Sequence, residues 1–377
     1  MKRTICFLPG ILVLLSLACN LAGTEAVPTD TPPAPRANEP CGDGVCDGPE
    51  NPQNCREDCA EAPVLTATPG SIPPQTSDEQ SAVLYLGIMV HLEGWDDHLN
   101  QAKFDQHAQL MREYASLFEA YDAKLTWESK ELTDGILQWG DNVLLEMEQR
   151  GHGIGVHADI GGQKTYNCRR FADDLRAEKE QLESLGVTVR HVSGIVSHCD
   201  WVTAAAEAGY LFTTGQVAYA VMSMPPENRP PEYSDCANPA ACHDTFPDAL
   251  EDRLHPWRMN SGADWLTPNP NGALVLLPSS GGLTHMEEEA TGQTTPGADL
   301  TPADIDYFIQ ELEQAITIAE PGQVNIYYVS WSLGSPLDQQ LLETLLQRIR
   351  PYLEAGQVEW KTLPEMYRAY IQWEANQ

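Results

Sequence analysis

Basic residues are scarce: 22 Lys and Arg stand against 55 Asp and Glu, a formal net charge of −33. A surface without a basic face cannot neutralise phosphates, which excludes a nucleic-acid-binding protein. The charge fits a strongly hydrated exterior and is silent on the reaction. Also missing is an apolar run of the about 20 residues that a membrane-spanning helix needs. ICFLPGILVLLSLA, residues 5–18, is shorter and ends in small residues. The ten cysteines include no CxxC pair, so a zinc ribbon is excluded too. Apolar side chains are not lacking: at 42% of the chain they can fill a globular core.

Lys2 and Arg3 ahead of that apolar run read as a signal peptide over 1–18. Ser16-Leu17-Ala18-Cys19 resembles a bacterial lipobox, with Ser16 where Leu is usual. It predicts an exported protein whose Cys19 carries lipid and tethers it to the cell-envelope surface; ordinary secretion is the alternative. Residues 19–40 and 60–79 are Pro- and Thr-rich and cannot bury enough apolar area to order themselves, so they read as linkers. Between them, residues 41–59 hold four cysteines and almost no apolar side chains, a module that covalent links must hold. It resembles small CGDGxC modules of exported proteins, and Asp43, Asp47 and Glu50 are its candidate Ca²⁺ ligands. Setting Cys6 and Cys19 aside leaves eight cysteines, an even number that reads as disulfides in an exported chain. Cys236–Cys242 is the local pairing and Cys168–Cys199 the longer-range one.

From residue 80 to 377 apolar strand-like runs alternate with helical stretches. Strands are expected at 82–91, 123–127, 153–158, 187–193, 210–214, 273–277, 323–331 and 357–361. Helices are expected at 100–121, 140–150, 166–185, 200–208, 302–319, 337–354 and 363–375. Such alternation implies a parallel sheet. The length suits an α/β fold, a (β/α) barrel of seven or eight units, complete or incomplete; an open doubly wound sheet is the alternative. Residues 216–270, with nine prolines, break the rhythm and read as an insertion over one end.

Three His-x-acid pairs fall at or after strand ends: His91 with Glu93, His157 with Asp159, and His198 with Asp200. Residues i and i+2 of a strand share a face. In a parallel barrel all three pairs would gather at the C-terminal mouth, where active sites lie. A catalytic site of the zinc class needs about three protein ligands and an open position. The three pairs therefore raise the question of one shared metal ion.

Residues 80–377 resemble the polysaccharide deacetylase (NodB-like) superfamily. His91-Leu92-Glu93-Gly94 aligns with its Phe-Asp-Asp-Gly motif, placing Glu93 at the metal-binding Asp and Leu92 at the catalytic base. GHGIGVHADIG aligns with its His-x-x-x-His motif, with His157 first and Gly161 at the second His. Arg190-His191-Val192-Ser193-Gly194, then AAAEAGY, aligns with the Arg-x-x-x-Gly motif. Trp331 falls where the family has its later His. The resemblance implies metal-dependent hydrolysis of the amide of an N-acetylated glycan. Glu93 and His157 are carried over as ligands of a divalent metal ion, Zn²⁺ the expected one, and His91 or His198 would supply the third. Asp159 or Asp200 would act as general base or orient a ligand imidazole, and Arg190 would orient an acid or stabilise charge. Where chemistry is lost, the same scaffold would be a carbohydrate-binding surface protein, using Trp95, Trp201, Trp257 and Trp265 as sugar platforms. A third reading is a glycoside hydrolase using Glu93 with Asp159 or Asp200. The partners expected are a glycan and, through Cys19, membrane lipid; the chain is expected to be a monomer.

Overall fold

The computed structural model describes residues 82–92, 96–292, 299–333 and 337–377. The signal peptide, Cys19, both linkers, the Cys-rich module with its candidate Ca²⁺ ligands, Glu93 and Trp95 lie outside the described residues. The wall of the fold is a curled, mixed sheet. Eight of its strands are parallel: β1 (Leu84–Leu92), β2 (Thr126–Ser129), β3 (Gly153–His157), β4 (His191–Ser193), β5 (Phe212–Thr213), β7 (Leu274–Leu276), β8 (Asn325–Ser332) and β9 (Val358–Trp360). With β6 (Trp257–Met259) at one edge, the order along the sheet is β6-β7-β5-β4-β3-β2-β1-β8. β6 runs antiparallel to β7, and β9 pairs with the start of β1. The curl nearly closes: beyond β7, Ser280 N donates to Tyr328 O at 2.9 Å, and Ser330 N of β8 donates to Gly281 O at 3.0 Å. This is the expected barrel, sealed by a seam of loop rather than by a full strand.

Helices pack on the outer face: α1 (Gln101–Glu119), α2 (Glu131–Trp139), α3 (Val143–Gln149), α4 (Phe171–Glu183), α5 (Trp201–Glu207), α6 (Met286–Thr291), α7 (Pro302–Ile318) and α8 (Gln339–Glu354). Their starts are written in the sequence. Asn100 caps α1 through Lys103 N, and Thr301 with Asp304 forms a reciprocal capping box on α7. α2 was not expected; Glu131 and Asp134 in its first turn suit the helix dipole. Among the described residues no helix is long and apolar enough to cross a membrane. The 216–270 insertion is built from short 3₁₀ turns, β6 and the Cys236–Cys242 disulfide.

Two apolar clusters divide the work. The larger lies between sheet and helices and takes the outward side chains, among them Leu92, Trp127, Ile154, Val156 and Trp331. The smaller fills the barrel's lower interior with Met89, Phe212, Val275, Leu277, Ile326 and Tyr328. A last helix, α9 (Leu363–Glu374), supplies its floor through Leu363, Met366 and Tyr370. Two inward glycines admit that floor: a Cβ on Gly87 would meet Met366 Cε at 2.8 Å, and one on Gly153 would meet Pro364 Cδ at 2.8 Å. Strand β3 therefore alternates in an unusual sense. Its apolar residues face the helices, while Gly153, Gly155 and His157 face the lumen.

Candidate active site

Above the apolar floor the lumen turns polar. The register sets His91 of β1 beside Glu128 of β2, and Glu128 beside Gly155 of β3. One step further round, Val156 pairs with Val192 and His157 with Ser193. That phase brings His191 to the level of Glu128, and Ser193 to the level of His157.

Glu128 is the centre of the cluster and is fully buried. Its Oε1 accepts from the Thr214 hydroxyl at 2.8 Å and lies 3.1 Å from His191 Nε2. Its Oε2 accepts from the Ser193 hydroxyl and lies 3.3 Å from His91 Nε2. Burial alone would raise the carboxyl pKa; the His191 and His91 imidazoles outweigh it and hold the group below the ordinary carboxylate range. Ser193 Oγ also lies 2.7 Å from His157 Nδ1. Since the hydroxyl proton goes to Glu128, the imidazole must donate to Ser193, so a neutral His157 is protonated on Nδ1. The His91 and His157 rings stack with centroids 4.2 Å apart.

One ligand atom each from His91, Glu128 and His157 lies within 4.8 Å of the other two. Two imidazoles and a carboxylate are the donor set of a catalytic zinc-class site. The spacing tests the fit. At 3.3 Å, His91 Nε2 and Glu128 Oε2 stand farther apart than the about 2.7–2.9 Å of a charge-assisted hydrogen bond. They match the edge, about 3.4 Å, of a tetrahedron with bonds of about 2.1 Å. Ser193 and Thr214 supply the outer hydrogen bonds that ligating groups need, and His191 stands against the same carboxylate.

The structure brings two of the expected ligands together, His91 and His157, and adds Glu128. His198 falls outside this cluster: its Nε2 lies 3.6 Å from both Cys168 Sγ and Cys199 Sγ, which form the expected disulfide. Asp159 is exposed at the rim, its backbone left-handed at φ 46°, and Lys130 Nζ pairs with it at 2.7 Å. Burial works against the Lys130 ammonium, but Asp159 more than offsets this and the pKa is raised. Asp200 is the N-cap of α5. It accepts from Thr203 N at 3.0 Å, from the Thr203 hydroxyl at 2.8 Å, and from Gly262 N at 2.7 Å. Arg190 precedes β4 and is exposed at the end of the strand away from the mouth; His191 takes the inward place beside it. Trp201 is not a sugar platform but core, fully buried and edge-on to buried Trp265. Trp331 is likewise core, packed on Phe118 with centroids 6.1 Å apart.

The sequence reading missed Glu128, His191, Ser193 and Thr214. Its second strand stopped at Trp127, one residue short of the carboxylate. The signal was available: Glu128 follows an apolar stretch and sits at a strand's C-terminal end, as His91 and His157 do.

No family model matches the chain, and no curated protein matches it. Among solved structures, a Pseudomonas aeruginosa PAO1 protein assigned as a polysaccharide deacetylase is 12% identical. The match covers 78% of this chain and 92% of that one, with a TM-score of 0.49. A Mycobacterium smegmatis protein assigned to the same activity is 14% identical over 81% and 94%, with a TM-score of 0.48. Puue allantoinase is 14% identical over 79% and 94%, with a TM-score of 0.47.

Proposed function

We propose that this chain is a metal-dependent hydrolase that cleaves the acetamide C–N bond of N-acetylated glycans, acting as a monomeric lipoprotein held at the envelope surface through Cys19. The observation that carries the reading is the convergence of His91, Glu128 and His157 on one point at the C-terminal mouth of a parallel barrel. His91 and His157 supply imidazole nitrogens and Glu128 a carboxylate oxygen to a divalent ion, with Zn²⁺ the expected one. Bound there, such an ion polarises an acyl oxygen and acidifies a water.

The chain's own residues do the rest. Ser193 and Thr214 fix the two Glu128 oxygens, so the carboxylate needs no reorganisation when it binds. Ser193 also fixes the His157 ring. Asp159, exposed at the rim beyond the end of β3 and paired with Lys130, is the carboxylate assigned to take a proton from the attacking water. Asp200 does not share that task, because its oxygens serve the α5 cap and Gly262. The motif resemblance supplies the substrate class, an N-acetylated sugar.

The test is elemental analysis of the purified protein beside an acetate-release assay on N-acetylated oligosaccharides. Wild type is expected to hold one equivalent of metal and release acetate. His157→Ala and Glu128→Gln are expected to lose both. Metal-free wild type that still retains oligosaccharide would replace this reading with that of a glycan-binding protein.

A further inference from the structure

We propose that Cys168, Cys199 and His198 form a second, latent divalent-metal site of the zinc class, closed by the disulfide and opened by a dithiol reductant. The three residues come from two adjoining loops. Cys168 starts the short turn Cys168–Arg170 that leads from β3 into α4, and Cys199 lies in the loop between β4 and α5. Their disulfide is the one covalent tie between those loops among the described residues.

The position of the imidazole carries the inference. His198 Nε2 is equidistant from the two sulfurs, 3.6 Å from each. A tetrahedral ion with an imidazole bond of about 2.0 Å and thiolate bonds of about 2.3 Å sets nitrogen and sulfur about 3.5 Å apart. The ring therefore lies within coordination reach of both sulfurs. Its Nδ1 is buried without a hydrogen-bond partner among the described residues, an arrangement that is costly for a polar group. The Cα atoms of the two cysteines stand 5.4 Å apart. Rotation of the side chains alone can part the sulfurs to about 3.8 Å, the spacing of two thiolates on one tetrahedral ion.

Cys168 is exposed, so a reductant reaches its sulfur. It sits in the short turn that precedes α4. Reduction transfers two electrons and two protons from the dithiol. The Cys168–Cys199 bond breaks, two thiols form, and the reductant leaves as its own disulfide. The ion then displaces the two thiol protons, and a water completes a Cys₂His set. Metal binding would retie the two loops that disulfide reduction had released.

Reduced and oxidised full-length protein are to be titrated with Co²⁺ in the absence of oxygen, together with reduced Cys168→Ser and His198→Ala. Reduced wild type is expected to show a sulfur-to-cobalt charge-transfer band and to bind one equivalent more than reduced Cys168→Ser. His198→Ala, which leaves the disulfide intact until reduction, is expected to bind that equivalent at least tenfold more weakly. Other cysteines are separated by a second measurement: alkylation of the reduced protein with and without Zn²⁺, mapped by peptide mass spectrometry. Protection of both Cys168 and Cys199 is expected. Equal alkylation of the two with and without Zn²⁺ would overturn the proposal, as would a cobalt band that Cys168→Ser leaves unchanged. The histidine–carboxylate cluster in the lumen gives no sulfur band, so its failure or success does not bear on this result.

Discussion

His191 Nε2 lies 3.1 Å from Glu128 Oε1, in a slot that exists because residue 155 has no side chain. A Cβ on Gly155 would sit 2.1 Å from that same nitrogen. The glycine of β3 and the imidazole of β4 are thus one device. Together they let a charged carboxylate lie in a barrel whose lower half is hydrocarbon.

This relationship sets the first prediction. Gly155→Ala should destabilise the protein by about 1–3 kcal/mol, because the ring has no slack on its other face, where it stacks on Phe212. His191→Ala should also destabilise, by removing a partner from a buried charge. The double substitution should cost less than the sum by about 1 kcal/mol or more, since the clash disappears with the ring. Urea denaturation of the four proteins measures the coupling; strict additivity would show that the two residues do not share the slot.

Glu128 itself should be intolerant of truncation. Glu128→Ala strands the Ser193 and Thr214 hydroxyls and removes the partner of two imidazoles. A loss of about 3–5 kcal/mol is expected from breaking a buried pair on one side, together with loss of bound metal. Glu128→Gln keeps the volume and should fold with a smaller loss while still failing to hold metal. Denaturation midpoints and metal content separate the two effects.

Asp200→Ala should lower stability by about 1–2 kcal/mol, the cost of an N-cap, with some added loss at Gly262. Acetate release by the folded protein should stay within about twofold of wild type. A loss of several hundredfold would assign Asp200 to the chemistry after all.

The pH profile of stability should show a histidine far from the mouth. Burial pushes the pKa of His152 down to about 4 from 6.5, against the opposing pull of Glu119. Its Nδ1 accepts from Leu125 N at 2.9 Å, so protonation breaks that bond. With the folded value depressed, the unfolded chain binds the proton more readily. The contribution is complete above about pH 6.5 and drains away as pH falls toward 4, about 2–4 kcal/mol in all. Glu119, held down at about 2 by the Arg150 guanidinium, contributes its own loss only below about 4.5. Urea midpoints between pH 7 and 4.5 should therefore fall in wild type and stay flatter in His152→Gln.

Much of this was legible in the sequence, and the failures have physical causes. The strand–helix rhythm gave the barrel because apolar spacing and caps act locally: α7 was expected at 302–319 and spans Pro302–Ile318. His91 and His157 were found because each ends a strand. The pairing rule failed beyond the strands. At Asp159 the backbone turns left-handed, so the i, i+2 alignment with His157 is lost. His198 and Asp200 lie in a loop past Ser193, where β4 has already ended, and no face relationship applies. Glu128 and His191 depend on register between strands distant in sequence, which no local pattern encodes. Arg190 illustrates the cost of a one-residue phase: its neighbour His191 took the lumen.

The floor of the barrel has a consequence for how the protein is made. Leu363, Met366 and Tyr370 close a cavity whose first wall strand is β1. A ribosome releases that strand long before the floor, so a nascent chain must carry Met89 uncovered through most of its synthesis, and Phe212 and Val275 from their release until the floor arrives. Contacts so distant in sequence form slowly and leave sticky surface waiting. The histidine–carboxylate cluster is thus finished only when the helix beneath it arrives, and quality control in the cell has a long interval in which to judge it.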